Sequence, residues 1–454
     1  MDKKFEELVS APAIALEKSI DATRKFGKDA SNIRPVKGAH KFWANLGPGF
    51  VTGAADDDPS GIATYSQTGA QYGFQLLWLS LFTFPLMVVV QEMCARIGLT
   101  TGRGLAGNIR IHYPKWVLYT CAFLLFCANT FNIGANIGAM TAATQLIFPE
   151  ANFISLSLSF TFLCLLLQIF MPYERYAKYL KYLVLVLFAY IATAFLVHID
   201  IQELLRYTFI PSITPSADQL FIITAILGTT ISPYLFFWQT SHEVEEEISH
   251  GKTSLLLREG TTDAEVKKMR VDVWSGMFLS NLVMYFIIAT CAAVLFSNGI
   301  THIGSAADAA LALRPLAGPY AFILFAVGII GTGLLSIPVL AGSAAYTMAE
   351  SFKWPSGLYR KLHQARAFYG VIILSLLIGW LTNFIGIDPI SMLVYSAVLN
   401  GLVAPVILFL IVQMTSNPKI MKERTNSSLR AALGWYITII MIVSGFATIG
   451  SLFF

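Results

Sequence analysis

The chain has 454 residues, of which 56% are hydrophobic and only 13% charged, and its formal net charge is +4. Soluble domains carry about 25% charged residues, so this composition excludes an ordinary soluble protein, and we expect no nucleic-acid partner. Apolar runs of roughly 20 residues, the length of a helix that crosses ~30 Å of hydrocarbon, separate the charged segments. This pattern favours membrane-spanning helices over the ~10-residue alternating strands of a membrane barrel.

The polar residues 1–46 are predicted to form a cytoplasmic N-terminal segment, and residues 47–454 a transmembrane domain. We predict eleven spans in that domain. They cover residues 47–70, 75–97, 116–147, 152–171, 179–199, 219–241, 272–297, 319–347, 366–384, 389–414 and 431–453.

The basic residues indicate how these spans are oriented. All but two of the 31 Lys and Arg residues lie in the N-terminal segment or in the connections that follow even-numbered spans, the exceptions being Arg206 and Arg314. Basic connections remain in the cytoplasm. We therefore predict a multi-pass protein of the cell membrane with its N-terminus inside and, because the span count is odd, its C-terminus outside.

Span one contains three consecutive carboxylates, Asp56, Asp57 and Asp58, followed directly by Pro59. An aspartate at the centre of a membrane helix costs ~2.5–3.5 kcal/mol on insertion scales, so such residues mark function. Proline lacks an N–H group and clashes in a helix interior, which predicts that the helix breaks here. Unwound backbone at membrane depth persists only where it lines a cavity or is buried in protein.

A second break is predicted at Pro233 in span six, within the run 228–234 that reads Gly-Thr-Thr-Ile-Ser-Pro-Tyr. Interrupted helices at matching positions of two successive halves indicate the binding site of a transporter. Carboxylates beside exposed carbonyl and hydroxyl oxygens form an environment that suits a hard divalent cation. The alternative interpretation is a pair of proline kinks with hydrogen bonds from the aspartates to neighbouring helices.

The run Gly47-Pro48-Gly49-Phe50, followed eight residues later by Asp58-Pro59, resembles the first span of the NRAMP divalent-metal transporter family. The usual DPGN motif of that family is replaced by residues 58–61, which read Asp-Pro-Ser-Gly, and its usual MPH motif by Ser-Pro-Tyr at 232–234. The resemblance covers most of the chain after residue 40. It implies an all-α membrane protein of the LeuT type, with two inverted five-helix repeats at about 47–199 and 219–414, an eleventh helix at about 431–453, and a midplane metal site between spans one and six.

The departures from the family bear on the choice of ion. The coordinating Asp of the family corresponds to Asp58, its Asn ligand to Gly61 and its Met thioether to Ser232. A thioether favours softer transition metals, whereas Mg²⁺ retains several waters, so a wider, oxygen-lined site looks like the NRAMP-related magnesium transporter branch. The predicted metal-binding residues are Asp58, Ser232, Thr229, Gly61, Asp57 and Asp56.

The proton route of the family is also altered. The family has acidic residues on span three and a histidine on span six, but residues 129–136 contain no acid here and Tyr234 replaces the histidine. None of the seven histidines is predicted deep in a span. We therefore predict Mg²⁺ uptake without obligatory proton coupling. Asp56 or Asp57 remains an alternative proton carrier, and a proton-coupled Mn²⁺ or Fe²⁺ transporter of the main family remains the alternative function.

Further polar residues are predicted in or near the cavity: Tyr234, Thr230, Asn132, Asn136 and Asn400. Asn132 and Asn136 share a helix face, and they either line the cavity or form hydrogen bonds between helices. Asn400 either contacts the site through a bridging water or packs against neighbouring helices. The glycines and serines of span eight are assigned to close helix packing. The acidic run 243–247 is interpreted as a solvated helix end, with attraction of cations as the alternative.

Two other classes were considered. An amino-acid or organic-cation carrier of the same fold would need groups for an organic body, and the aspartate triplet suits a compact cation better. An intramembrane enzyme is disfavoured because no HExxH or GxGD motif is present. We predict no enzymatic activity, no cofactor besides the transported Mg²⁺ or Mn²⁺, no partners besides the ion and the lipid bilayer, and a monomeric transporter.

Overall fold

The computed structural model describes residues 47–170, 187–214 and 216–451, and every regular element within those ranges is helical. The predicted N-terminal segment 1–46 lies outside the described residues. So do the connection that carries Arg175, Lys178 and Lys181 and the first part of the predicted fifth span.

The helices divide into those before and those after residue 210. The first set comprises α1 (Pro48–Asp56), α2 (Pro59–Tyr72), α3 (Trp78–Thr101), α4 (Leu105–His112), α5 (Lys115–Gln145), α6 (Phe153–Phe170), α7 (Phe188–Leu196) and α8 (Ile201–Phe209). The second set comprises α9 (Ala217–Thr230), α10 (Pro233–Ser249), α11 (Leu255–Arg258), α12 (Asp263–Val294), α13 (Ala306–Ala310), α14 (Arg314–Ala317), α15 (Ala321–Phe352), α16 (Arg366–Thr382), α17 (Pro389–Thr415), α18 (Pro418–Met421) and α19 (Ser428–Ser451).

Eight helical stretches in the described part of the chain are long and apolar enough to cross a membrane. The helix α16 is apolar but shorter, with 17 residues. The first predicted span consists of α1 and α2, which have 9 and 14 residues and are each too short to span alone. These lengths indicate a polytopic helical membrane protein, while the count of eleven spans and their orientation remain predictions.

The chain leaves helical geometry at the two positions where the sequence predicts breaks. Helix α1 ends at Asp56 and α2 begins at Pro59, and α9 ends at Thr230 while α10 begins at Pro233. In each case the proline occupies the first helical position, where its missing N–H group costs nothing. Asp58 caps α2 because its side chain accepts a hydrogen bond from the Gly61 N–H.

Glycines bring the helices around the breaks into backbone contact. A Cβ added to Gly53 of α1 would lie 2.3 Å from the backbone of Gly276 in α12. One added to Gly228 of α9 would lie 2.3 Å from the amide nitrogen of Gly401 in α17. Small residues at helix crossings allow the close van der Waals packing that holds membrane helices together. Gly333 of α15 shows the packing predicted for span eight, since a Cβ there would lie 2.5 Å from a methionine sulfur of α5.

Candidate metal site

Asp58 lies fully buried in the first break, with both carboxylate oxygens hydrogen-bonded. Its Oδ1 accepts from the Ser60 hydroxyl at 2.5 Å and from the Gly61 N–H at 2.9 Å. Its Oδ2 accepts from the side-chain amides of Asn132 at 3.2 Å and Asn136 at 3.3 Å, both on α5. The two amide contacts are long for N–H···O bonds, so Oδ2 is the oxygen that a cation could recruit more easily.

The two α5 asparagines connect Asp58 to further helices. The Asn136 amide also donates to the Ser336 hydroxyl of α15 at 3.1 Å, while its Oδ1 has no partner among the described residues. The Oδ1 of Asn132 accepts from the Ser396 hydroxyl of α17 at 3.1 Å. Both asparagines bond between helices and contact Asp58, while their place in the lining of a cavity stays a prediction. Ser336, which the sequence assigns to packing alone, therefore also belongs to this polar network.

Asp56 and Asp57 lie on a different side of the break. The hydroxyl of Ser280 on α12 donates to Asp56 Oδ2 at 2.7 Å and contacts Asp57 Oδ1 at 3.2 Å. The other oxygen of each carboxylate has no hydrogen-bond partner within the described ranges. Nor do those ranges contain a group of three or more His, Cys, Asp and Glu side chains arranged to hold one ion. This arrangement favours Asp58 alone as the charged ligand, and joint binding by all three aspartates stays a prediction.

At the second break, the hydroxyls of Ser232 and Thr230 bond to backbone carbonyls of α9. Ser232 donates its hydroxyl to the Gly228 and Thr229 carbonyls at 2.7 and 2.8 Å, and Thr230 donates to Ile226 O at 2.7 Å. The hydroxyl oxygen of Thr229 faces the first break, since a Cβ on Gly61 would lie 3.2 Å from it. Thr229 and Gly61 therefore meet between the two breaks.

Two further predicted residues lie in the same region of the fold. The Tyr234 hydroxyl donates to the Ala55 carbonyl in the last turn of α1 at 3.0 Å, so it ties one broken helix to the other. Asn400 of α17 is fully buried, and neither of its side-chain polar atoms has a hydrogen-bond partner in the described part of the chain. A buried amide without partners is costly, which favours a cavity role for Asn400 over simple packing.

The side of α10 away from the break corrects two sequence-based interpretations. Glu243 and Glu247 are buried rather than solvated, because they share a helix face with Gln239, whose amide donates to Glu243 at 2.8 Å. His242 is also buried within this helix, with its ring centre 4.4 Å from that of Trp238. Helix α10 continues to Ser249 rather than ending at the predicted span boundary of 241, so His242 lies within this helix, in its second half.

Distant parts of the chain bond to α1 and to α2 on either side of the first break. At the end predicted to be cytoplasmic, the Asp272 carboxylate of α12 accepts from the first N–H groups of α1, those of Gly49 at 2.6 Å and Phe50 at 3.1 Å. At the other end, the Gln67 side chain of α2 bonds to the backbone of Ile303 at 2.9 Å. Asp58 itself is fully buried.

Replacing Asp272 by alanine should loosen the N-terminus of α1. The substitution removes a charged cap from two N–H groups, and hydrogen bonds to charged groups are worth about 1.5–3 kcal/mol. We expect amide hydrogen exchange in residues 49–56 to become roughly 10- to 100-fold faster when followed by mass spectrometry. Asp388→Ala is the control for loss of a charged cap, since one oxygen of Asp388 accepts from two N–H groups at the start of α17. Equal exchange rates in α1 for wild type and Asp272→Ala would contradict the inference that Asp272 stabilises the start of this helix.

Comparison with known proteins gives one family match and several similar chains. The model of the natural resistance-associated macrophage protein-like (Nramp) family matches residues 49–451. The divalent metal cation transporter MntH of Klebsiella pneumoniae subsp. pneumoniae is 29% identical over 422 residues, covering 90% of this chain and 94% of that protein. The protein of the same name from Erwinia tasmaniensis is 28% identical, covering 90% and 95%.

Solved structures with a similar fold come from two kinds of protein. The Eremococcus coleocola manganese transporter, in complex with an aromatic bis-isothiourea compound, superposes with a TM-score of 0.71 at 20% identity, covering 91% of this chain and 88% of that one. MhsT in complex with L-phenylalanine superposes with a TM-score of 0.53 at 14% identity, covering 89% and 97%. At these identities the likeness concerns the fold alone.

Proposed function

This chain belongs to the Nramp family, and from that premise we propose that it carries Mg²⁺ across the cell membrane through a site centred on Asp58. Transport of divalent metal cations is the activity named for its MntH relatives. The observation that carries the proposal is the buried Asp58 carboxylate at the first break, surrounded by amide and hydroxyl groups from three other helices.

The chemistry of that environment supports Mg²⁺ as the cargo. Every side chain bonded to Asp58 ends in oxygen or amide nitrogen, and Asn136 keeps a free carbonyl oxygen within this network. Oxygen ligands suit Mg²⁺ and also Mn²⁺, whereas a thioether would select softer ions. Position 232, where the family has its thioether, carries a hydroxyl that bonds to two backbone carbonyls in the last turn of α9. Because none of these groups contains sulfur, they give no selective advantage to a softer transition metal.

The contacts of Asp58 also support transport without obligatory proton coupling. Its side-chain partners are Ser60, Asn132 and Asn136, none of which exchanges a proton near neutral pH. An inside-negative potential of 100 mV alone contributes ~4.6 kcal/mol to the entry of a divalent ion, so a proton gradient is not needed as a driving force. The alternative, a proton-coupled Mn²⁺ or Fe²⁺ transporter, would have to use Asp56 or Asp57 as the proton carrier.

Flux into vesicles tests the ion and the coupling together. In proteoliposomes with an inside-negative potential, we expect uptake of Mg²⁺ without acidification of the lumen, measured with a Mg²⁺ indicator and a pH-sensitive dye. Mn²⁺ should compete with Mg²⁺ at similar concentrations rather than at far lower ones. Acidification that follows metal uptake and disappears in an Asp56→Asn or Asp57→Asn variant would establish the proton-coupled alternative instead.

A further inference from the structure

A cavity of about 410 Å³, separate from the candidate metal site, lies at the end of α3, α10 and α15 that the sequence predicts to be cytoplasmic. Its wall is formed by three separate parts of the chain: residues 102–110, residues 241–248 of α10 together with Arg258, and residues 346–360. A volume of this size lies in the range of small-molecule sites. The wall contains none of the residues of the candidate metal site.

The wall carries more positive than negative charge. Five basic side chains line it, those of Arg103, Arg110, Arg258, Lys353 and Arg360, against two carboxylates, Glu245 and Glu350. In the described part of the chain, none of the five basic groups forms an ion pair. Within the described residues, the wall of the cavity therefore carries a surplus of positive charge.

Both carboxylates are engaged by donors within the wall. Glu350 accepts from the Gly107 N–H at 2.8 Å and from the Ser241 hydroxyl at 3.3 Å. Glu245 accepts from the Leu358 N–H at 2.6 Å and from the Tyr346 hydroxyl. These bonds hold the acidic groups in the structure of the wall.

The basic groups, in contrast, bond to neutral atoms or project into the cavity. The Arg258 guanidinium donates only to backbone carbonyls, among them Gly102 O at 3.3 Å and Thr253 O at 2.9 Å. The side-chain charges of Arg103 and Lys353 have no hydrogen-bond or ion-pair partner among the described residues. These basic side chains favour the binding of an anion, whose negative charge would pair with theirs.

Glycines shape the wall and indicate that the cavity is preformed. A Cβ on Gly104 would lie 1.9 Å from the Glu350 carboxylate, and Gly102 (φ +61) would place a Cβ 2.6 Å from that of Arg258. Gly357 adopts φ +127, and a Cβ there would lie 2.4 Å from the Tyr359 ring. Gly102 and Gly357 adopt the positive φ that favours glycine, so the turns at these two positions bring groups of the wall close together.

We propose that this cavity binds a phosphate-bearing anion, such as a phospholipid headgroup or a soluble phosphate compound. Arginine forks bind phosphate oxygens in pairs, and the charge surplus favours an anion with more than one negative charge. The rim supports a position near the membrane surface, because Trp354 stacks on Phe352 and Phe352 on Tyr119, as in interfacial aromatic belts. A bound anion would join the connection after α3 to α10 and to the segment after α15.

Thermal unfolding of the full-length protein tests this proposal in two arms, both with EDTA to exclude divalent metals. In detergent, the probes are inorganic pyrophosphate and ATP, with sodium sulfate at equal ionic strength as the comparison. In nanodiscs, phosphatidylglycerol is compared with phosphatidylcholine. We expect the unfolding temperature to rise by about 2 °C or more at one hundred times the Kd. A rise in the first arm identifies a soluble ligand, and a rise only in the second identifies a lipid headgroup.

The double substitution Arg103→Gln and Lys353→Gln should weaken the effective probe at least tenfold, since it removes two charges that face the cavity. The charge-matched control is Lys267→Gln with Lys419→Gln, two exposed residues outside the wall. If both double variants lose the response equally, general charge attraction explains it and the proposed site is wrong. No rise with any probe would also overturn the proposal.

Discussion

Replacing Asp58 by asparagine should abolish metal transport while the protein remains folded. Asparagine has the same shape and caps a helix as well as aspartate does, so the bond from the Gly61 N–H can persist. The negative charge that would meet the cation is lost. Charge-assisted contacts are about twice as strong as neutral ones, and we expect Mg²⁺ flux in proteoliposomes to fall on the order of 100-fold or more.

The neutral side chain can be accommodated because its neighbours are adaptable. Asn136 has a side-chain oxygen with no partner among the described residues, and after rotation this oxygen can accept from the new amide. Metal-induced thermal stabilisation should disappear together with flux, while the unfolding temperature without metal should change little. Asp58→Ala should also abolish flux, but it additionally removes the cap and costs ~1 kcal/mol of stability.

Asp388→Asn is the matched control for this experiment. Asp388 also caps a helix that begins with proline, accepting from the N–H groups of Ile390 at 2.9 Å and Ser391 at 3.1 Å. It lies at the surface rather than in the buried break. Its variant should transport as wild type does. Flux close to wild type in Asp58→Asn would mean that the charged ligand lies elsewhere, and the site assignment would be wrong.

The helix breaks could be predicted because their cause is local. Pro59 and Pro233 lack the N–H group that a continuous helix needs, and each follows a residue that favours a helix cap. Proline alone does not decide where a helix breaks, because three other prolines lie inside continuous helices, each after an apolar residue that does not favour a cap. At the first break the structure shows Asp58 capping α2.

The partners across the breaks could not be predicted, because they depend on how distant helices cross. The sequence places Asn132 and Asn136 on one face of a helix but does not reveal that this face meets Asp58. Ser280, which holds Asp56 and Asp57, gave no signal among the other serines of the spans. The three adjacent aspartates separate because the chain changes direction between them, a consequence of the break that their spacing does not show.

The acidic run of α10 shows a signal that was present but was interpreted wrongly. Gln239, Glu243 and Glu247 are spaced four residues apart and so share one helix face. All three are buried. A solvated helix end would expose every residue of the acidic run. Helical periodicity instead places these three residues on a different face from Glu245 and Glu246, which are partly exposed.

Replacing Ser232 by methionine should shift the ion preference toward Mn²⁺ and Cd²⁺. The substitution introduces a thioether, a ligand that softer ions prefer, at the N-cap of α10. It also frees the Gly228 and Thr229 carbonyls from the serine hydroxyl. If the thioether contact favours Mn²⁺ or Cd²⁺ over Mg²⁺ by ~1.4 kcal/mol, the relative affinity for these ions rises about tenfold. Competition assays of Mg²⁺ uptake should then show inhibition by Mn²⁺ or Cd²⁺ at roughly tenfold lower concentration.

Position 232 is a better first test than position 61. An asparagine at Gly61 would place its Cβ 3.2 Å from the Thr229 hydroxyl and 3.3 Å from the Tyr65 ring. These contacts are tight enough that the neighbours would have to move, so a change in selectivity there would mix ligand chemistry with repacking. Ser232→Met does not alter that contact between the two breaks.

Ser232→Leu separates the effect of sulfur from the effect of size. Leucine and methionine have similar volumes and exchange with little cost in packed sites, but leucine offers no ligand atom. If methionine increases inhibition by Mn²⁺ and Cd²⁺ and leucine does not, the thioether is responsible and position 232 faces the ion. Equal selectivity of the two variants would show that this position does not contact the ion, and that the oxygen-only character of the site cannot explain a preference for Mg²⁺.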